Sequence, residues 1–285
     1  MSVQSQALKL FRFAQIARVL NPVTREKRMF VVLTFYADES YSNNSFNFGG
    51  WLGLESEFSR LESQWLKRIE FERRQHGKFE RFHATYCNAK TGDYEGWSDD
   101  DKIEHTKALL RIVTRRKVAA VCAGLDRAAL LRVYPEEVAS DPLESAYNLT
   151  VKQLMMMIAR YVKKNSGYRV AIIHDWAGER YNGIIQQAFS KMRDDTRWTH
   201  RDLFVSCTPL KWEDCVLLQP ADMIAFDTRK LLDQTIIRSS PQMRRSLQVL
   251  LGKGVPVMAR YFNEATLRRL RELSAQNHER QETEA

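Results

Sequence analysis

The sequence predicts an α/β fold built on a mixed sheet, with an antiparallel start and parallel later strands, flanked by helices. Two patterns carry that prediction. From residue 118 onward short apolar, β-branched runs alternate with longer amphipathic ones, which is how parallel strands joined by helical crossovers read. Before that point the first strand passes through a short polar turn into a second, as a hairpin does. A third observation sets the scale: 285 residues, 44% hydrophobic and 28% charged, can bury one large core and still leave extensions at both ends.

The elements follow in order. Residues 1–28 read as a basic amphipathic extension: Lys9, Arg12, Arg18 and Arg25 stand without an acid in the first 25 residues, interleaved with Leu8, Phe11, Phe13, Ile16, Val19 and Leu20. This pattern formally resembles an organellar transit peptide, but a helix that packs on the domain or touches an acidic partner is the preferred reading. Residues 29–235 form the main domain. Met29 to Ala37 is its first strand, Tyr41 to Asn44 a turn, and Ser45 to Gly53 the hairpin partner, where Gly49-Gly50 marks a bulge or a close backbone approach. Glu55 to Arg74 is a helix with Phe58, Leu61, Trp65, Ile69 and Phe71 inward. Ser98 with three following aspartates caps a helix running to about Arg116.

Val118 to Leu125 is a strand, and Leu143 to Lys164 a helix whose Met155-Met156-Met157 run fills core. Strand Arg169 to Ile173, helix Gly178 to Met192, strand Leu203 to Thr208 and helix Val216 to Leu232 complete the alternation, with Pro220 at a first helical position. Residues 236–285 read as a basic helical extension, its last dozen residues polar enough to be disordered.

Formal charge is +9 with a pI near 9.4, a balance compatible with a polyanionic partner because Lys and Arg neutralising phosphates dominate nucleic-acid affinity. Solubility alone also explains such a charge. Cys87, Cys122, Cys207 and Cys215 show no paired spacing, which argues against a zinc ribbon or disulfide framework and for a reduced, cytoplasmic setting with Cys122 and Cys207 buried. No run approaches the ~18 apolar residues of a membrane span, so no membrane partner is expected.

Three acid-bearing segments single out a site: Phe35-Tyr36-Ala37-Asp38-Glu39-Ser40, Ile172-Ile173-His174-Asp175 and Leu217-Leu218-Gln219-Pro220-Ala221-Asp222-Met223-Ile224-Ala225. The first two end apolar runs, so Asp38 and Asp175 should emerge at the carboxyl ends of buried strands, where α/β folds place their ligand crevices. The third opens a helix, on which Gln219 and Asp222, three apart, share a face. Acids converging from separate elements repel unless a cation lies between them, and hard oxygen donors point to Mg2+ or Mn2+. Duller roles exist for each acid: Asp38 in turn chemistry, Asp175 as the cap of the helix near Gly178, Asp222 in favourable interaction with a helix dipole.

These segments, with a His in Phe82-His83-Ala84, resemble the domain of unknown function 3800 family over roughly residues 29 to 235. The resemblance implies a ribonuclease-H-like fold in which Asp38, Asp175 and Asp222 ligate two divalent ions. It assigns Glu39, on the opposite strand face unless the strand has ended, to complete the ligand shell, Gln219 to orient substrate and His83 to contact phosphate or carry a proton. A small polar residue is expected shortly before Gln219; Trp212-Glu213-Asp214-Cys215 stands there instead, so Glu213 or Asp214 supplies a further ligand or the site has drifted. The activity implied is two-metal hydrolysis of phosphodiesters in DNA or RNA, with Arg180, Arg193, Arg197, Arg201 and Lys211 available to grip the backbone. A non-catalytic nucleic-acid-binding module and a phosphohydrolase of small phosphoesters are the alternatives.

Overall fold

Among the described residues, strands β1 (Val31–Tyr41), β2 (Ser45–Leu54), β3 (Val118–Asp126), β4 (Tyr168–Asp175), β5 (Phe204–Leu210) and β6 (Val257–Phe262) form one sheet in the order β5-β4-β1-β2-β3-β6. The computed structural model describes residues 31–138, 141–162, 168–238 and 240–284, with side chains up to residue 276 apart from Glu137. The extension expected over residues 1–28 lies outside them. β2 is antiparallel to β1 and β3, whereas β4 is parallel to β1, β5 to β4 and β6 to β3. The expected mixed sheet, antiparallel first and parallel later, is therefore the observed one.

Helices α1 (Glu55–His76), α2 (Ala84–Ala89), α3 (Asp99–Thr114), α4 (Arg127–Val133), α5 (Pro135–Val138), α6 (Pro142–Val162), α7 (Glu179–Asp194), α8 (Leu218–Ile237), α9 (Arg245–Gly252) and α10 (Glu264–Glu284) surround it. Strand alternation sorts the core into two halves. Phe35, Ala37, Phe48 and Ile172 face α6 and α7, while Tyr36, Trp51 and Ile173 face α1, α3, α8 and α9. Ser98 caps α3 with a full capping box, its hydroxyl accepting from Asp101 N–H. Cys122, Cys207, Met155 and Met157 are buried, as their apolar surroundings require.

Several expectations need correction. β1 does not stop at Ala37. Its ladder with β2 continues through Asp38↔Gly49 to Tyr41↔Phe46, because Phe46 and Phe48 anchor that half of the hairpin in the core. A step at the rim results: β4 ends at Asp175 while its neighbour runs on. Gly49-Gly50 marks a close approach, since a Cβ at Gly50 would collide with the Tyr36 carbonyl oxygen, and the β1–β2 register shows no bulge.

Phe71 is 48% exposed and Glu72 is buried in its place, because 58, 61, 65, 69 and 72 trace one helical stripe that 71 leaves. α8 begins at Leu218, so Pro220 is its third residue, where its missing N–H still falls among donors without helical partners. Residues 236–285 are not only helical: Val257–Phe262 pairs with β3 and covers what would be an open sheet edge. The last dozen residues, expected to be disordered, lie within α10 up to Glu284, a stretch rich in the helix formers Ala, Gln, Glu and Arg.

Candidate active site

α8 is pinned to the sheet by side chains that fix its register. The Trp51 indole N–H donates to the Pro220 carbonyl at 2.8 Å, Asn47 Nδ2 donates to the Ala225 carbonyl at 2.9 Å, and Arg229 Nε donates to Ser40 Oγ at 2.8 Å. The Ser42 and Ser45 hydroxyls both donate to Asp233 Oδ1 at 2.6 Å. Buried polar groups with satisfied partners hold a unique arrangement, so Asp222 and Gln219 are presented to the rim beside β1 and β4.

A cavity of about 350 Å3 opens there, and its lining includes Asp38, Glu39, His83, Asp175, Gln219 and Asp222. All six residues expected at a site are thus brought to one concavity. The strand pleat sorts them. Asp38 follows Tyr36 and Asp175 follows Ile173 onto the face that carries α8, whereas Glu39 follows Ala37 onto the face of α6, where it accepts a hydrogen bond from the Tyr147 hydroxyl. The opposite-face placement of Glu39 is as expected, yet the cavity is deep enough to reach both faces at the step beyond β4.

The carboxylates disturb one another. Burial first, then the charges of Glu39, Asp222 and Asp175, hold the Asp38 carboxyl well above its usual range. Burial and Asp175 raise Glu39 to about 7, and its Oε2 is buried without a partner. Burial raises Asp222 to about 7 against opposing help from the Ala84 N–H and Arg81, and burial raises Asp175 too. Asp38 Oδ1 accepts from the Glu39 N–H at 2.7 Å, and Asp222 Oδ2 accepts from the Ala84 N–H at 2.7 Å.

The donors come from α1 and from the segment entering α2. Gln219 Oε1 accepts from the Trp65 indole N–H and from the Phe82 N–H, each at 3.0 Å. Both are pure donors, so the amide oxygen faces them and its NH2 is the end left for the cavity. His83 caps α2 by accepting the Tyr86 N–H, and burial followed by the Arg81 charge lowers it to about 4. A neutral ring with Nδ1 so engaged carries its proton on Nε2 and is a donor, not a base, near neutrality. The cavity also meets Arg81, whose guanidinium lies 4.0 Å from the centre of the Trp212 ring.

Sequence reasoning missed Arg81, Tyr147 and Trp65: the first is one arginine among many, and the other two sit in apolar helical stripes that read as core. His174 does not reach the cavity lining; it is fully buried, and its Nδ1 lies 2.8 Å from the Asp175 carbonyl oxygen. The duller roles fail for all three acids. Asp38 lies within a continuous strand, and the residue capping α7 is Gly178, with no side-chain cap. Asp222 lies beyond the first turn of α8, where the helix dipole offers little.

Glu213 and Asp214 are exposed and outside the lining, although Glu213 adds to the rise at Asp175. Four of the arginines available to grip a backbone are wholly or partly exposed and have an acid beside them: Arg180 with Asp141, Arg193 with Asp194, Arg197 with Asp195 and Arg201 with Asp202. Arg244 and Arg268 likewise pair with Asp227 and Glu264.

Carboxylate oxygens, one of them buried without a partner, are donors of the kind a hard divalent cation takes, while Arg81 at the same lining already supplies one positive charge. As their side chains are placed, no group of three or more His, Cys, Asp or Glu among the described residues could hold a metal ion. No helix among them is long and apolar enough to cross a membrane. No family model and no curated protein matches the chain, so the functional reading rests on the site itself.

Proposed function

We propose that this protein hydrolyses phosphodiester bonds of nucleic acid with divalent metal at the Asp38, Glu39, Asp175 and Asp222 cluster. The observation that carries the reading is the convergence of four carboxylates, from two adjacent strands and one helix, on a cavity whose burial makes their charges costly. Asp38, Asp175 and Asp222 would hold Mg2+ or Mn2+, with Glu39 completing the set from the other face of β1. Such ions, when bound, lower the pKa of an attacking water and stabilise the leaving oxygen.

The chain's own groups do the rest. The Gln219 NH2 and the neutral His83 offer donors to phosphate oxygens, Arg81 balances charge at the mouth, and the Ala84 N–H keeps one Asp222 oxygen engaged so the other is free to act. The resemblance to the domain of unknown function 3800 family, the basic net charge and a cytoplasmic setting belong to the same proposal. A second reading, hydrolysis of a small phosphoester, is favoured by the size of the cavity, which lies at the lower end of small-ligand pockets.

The test is cleavage of labelled DNA and RNA in magnesium and in manganese, by wild type and by Asp38→Asn. The substitution keeps size and removes the charge. Cleavage by the wild type alone supports the proposal. Equal behaviour of the two proteins on every substrate rejects it.

A further inference from the structure

Three neighbouring strands carry an aromatic residue at or just past their carboxyl ends, beside the acid cavity. β1 closes on Tyr41, the Asp175 that ends β4 is followed by Trp176, and Trp212 stands two residues beyond the end of β5. β5, β4 and β1 are adjacent and parallel, so their carboxyl ends share one edge of the sheet; by the Ala37↔His174 register Trp176 is level with Glu39, and Tyr41 stands two residues further along the overhanging end of β1. Tyr41 is 57% and Trp176 43% exposed, and neither belongs to the two hydrophobic cores. Trp212 is half-buried under the Arg81 guanidinium, which holds one face of its ring. Tyr41 and Trp212 both line the cavity that holds the acids.

We propose that the substrate is a single-stranded polynucleotide whose unpaired bases stack on Tyr41, Trp176 and Trp212 while its backbone enters the acid cavity. This rests on the phosphodiester reading of the same site. Stacking needs a free π-face, which every unpaired base has and which a base inside a duplex has already spent on its neighbours. A row of aromatic rings therefore discriminates by strandedness and not by sequence. Edge readout of a duplex requires polar forks reaching into a groove, and Arg180, Arg193, Arg197 and Arg201 each pair with a neighbouring acid.

The test uses the full chain and a fluorescein-labelled oligothymidylate, alone or annealed to oligoadenylate, with calcium replacing magnesium to suppress turnover, at physiological salt. Fluorescence anisotropy should show the single strand bound at least ~10-fold more tightly than the duplex. Tyr41→Ala and Trp176→Ala should each weaken single-strand binding roughly 5- to 100-fold, and Trp176→Phe should restore most of the loss. Both residues are exposed, so thermal unfolding should match wild type. Equal affinity for single strand and duplex, or aromatic variants that bind like wild type, overturns the proposal; the latter result also covers a rim that serves a protein partner instead. Single-strand preference without cleavage in manganese would leave this inference standing and remove the catalytic reading, while cleavage insensitive to all the aromatic variants would do the reverse.

Discussion

Two of the regions of this molecule that bury carboxylates treat them in opposite ways. Between α1 and α3, Glu72 is 2% exposed and surrounded by partners: Arg68 forms an ion pair with it, His105 Nδ1 lies 2.8 Å from Oε1, and His76 Nε2 lies 3.6 Å from Oε2. His105 in turn meets the Tyr94 hydroxyl at 3.3 Å. Burial pushes Glu72 up, yet the His105 hydrogen bond and the Arg68 charge outweigh it and the carboxyl ends below its usual range. At the rim Asp38 is 9% exposed and its neighbours are other acids, so the same burial leaves it well above that range. A carboxylate buried for structure comes with its partners. One buried among carboxylates stores a repulsion that a cation relieves, and perturbed groups of that kind mark functional sites.

The sharpest way to break this contrast is one substitution in each region. Asp38→Asn should abolish metal-dependent cleavage while raising the melting temperature of the metal-free protein, since it removes repulsion; each ~1 kcal/mol gained corresponds to about 2–4 °C. Glu72→Gln should do the opposite. It weakens the pairing of the half-buried Arg68 and the buried His105, so stability should fall by about 1–3 kcal/mol in denaturant titrations while the metal requirement of the remaining folded protein is unchanged.

The pH dependence follows next in size. Glu39 and Asp222 titrate near 7 in the folded chain, above their ordinary range, so between about pH 4 and 7 the native state holds more protons than the unfolded one. Their contribution therefore declines as pH rises through that window. The difference in melting temperature between Asp222→Asn and wild type, measured with chelator present, should grow from pH 4 to 7 in favour of the variant, and magnesium should reverse it above pH 7.

The smallest expected effect concerns orientation. Trp65→Phe keeps an aromatic ring and deletes the N–H that fixes the Gln219 amide, so kcat/KM should fall roughly 5-fold, the worth of about 1 kcal/mol, and Gln219→Leu should not add a further loss. Additive losses in the double variant would show that Trp65 acts elsewhere.

Local patterns made much of this readable from sequence. Asp38, Asp175 and Asp222 are acids inside otherwise apolar segments, a contrast visible without coordinates, and the alternation beyond residue 118 is strong enough to give the sheet its parallel half. What stayed hidden depends on distant pairing. β1 reaches Tyr41 only because Phe46 and Phe48 anchor the partner strand, and β6 exists because the outer edge of β3 offers hydrogen bonds to Val257–Phe262. Arg81 and Tyr147 acquire their roles from which helix packs on which face. The Gln219 amide could not be oriented before Trp65 and Phe82 were seen to share its oxygen.

The most direct measurement is a calorimetric titration of Mn2+ into the full chain about one pH unit above the value of about 7 to which Glu39 and Asp222 are raised. Saturable binding that is lost in Asp38→Asn and retained in Glu72→Gln is the predicted result. Absence of binding to the wild type, or equal binding by Asp38→Asn, would contradict the claim that the rim acids are gathered to hold a metal.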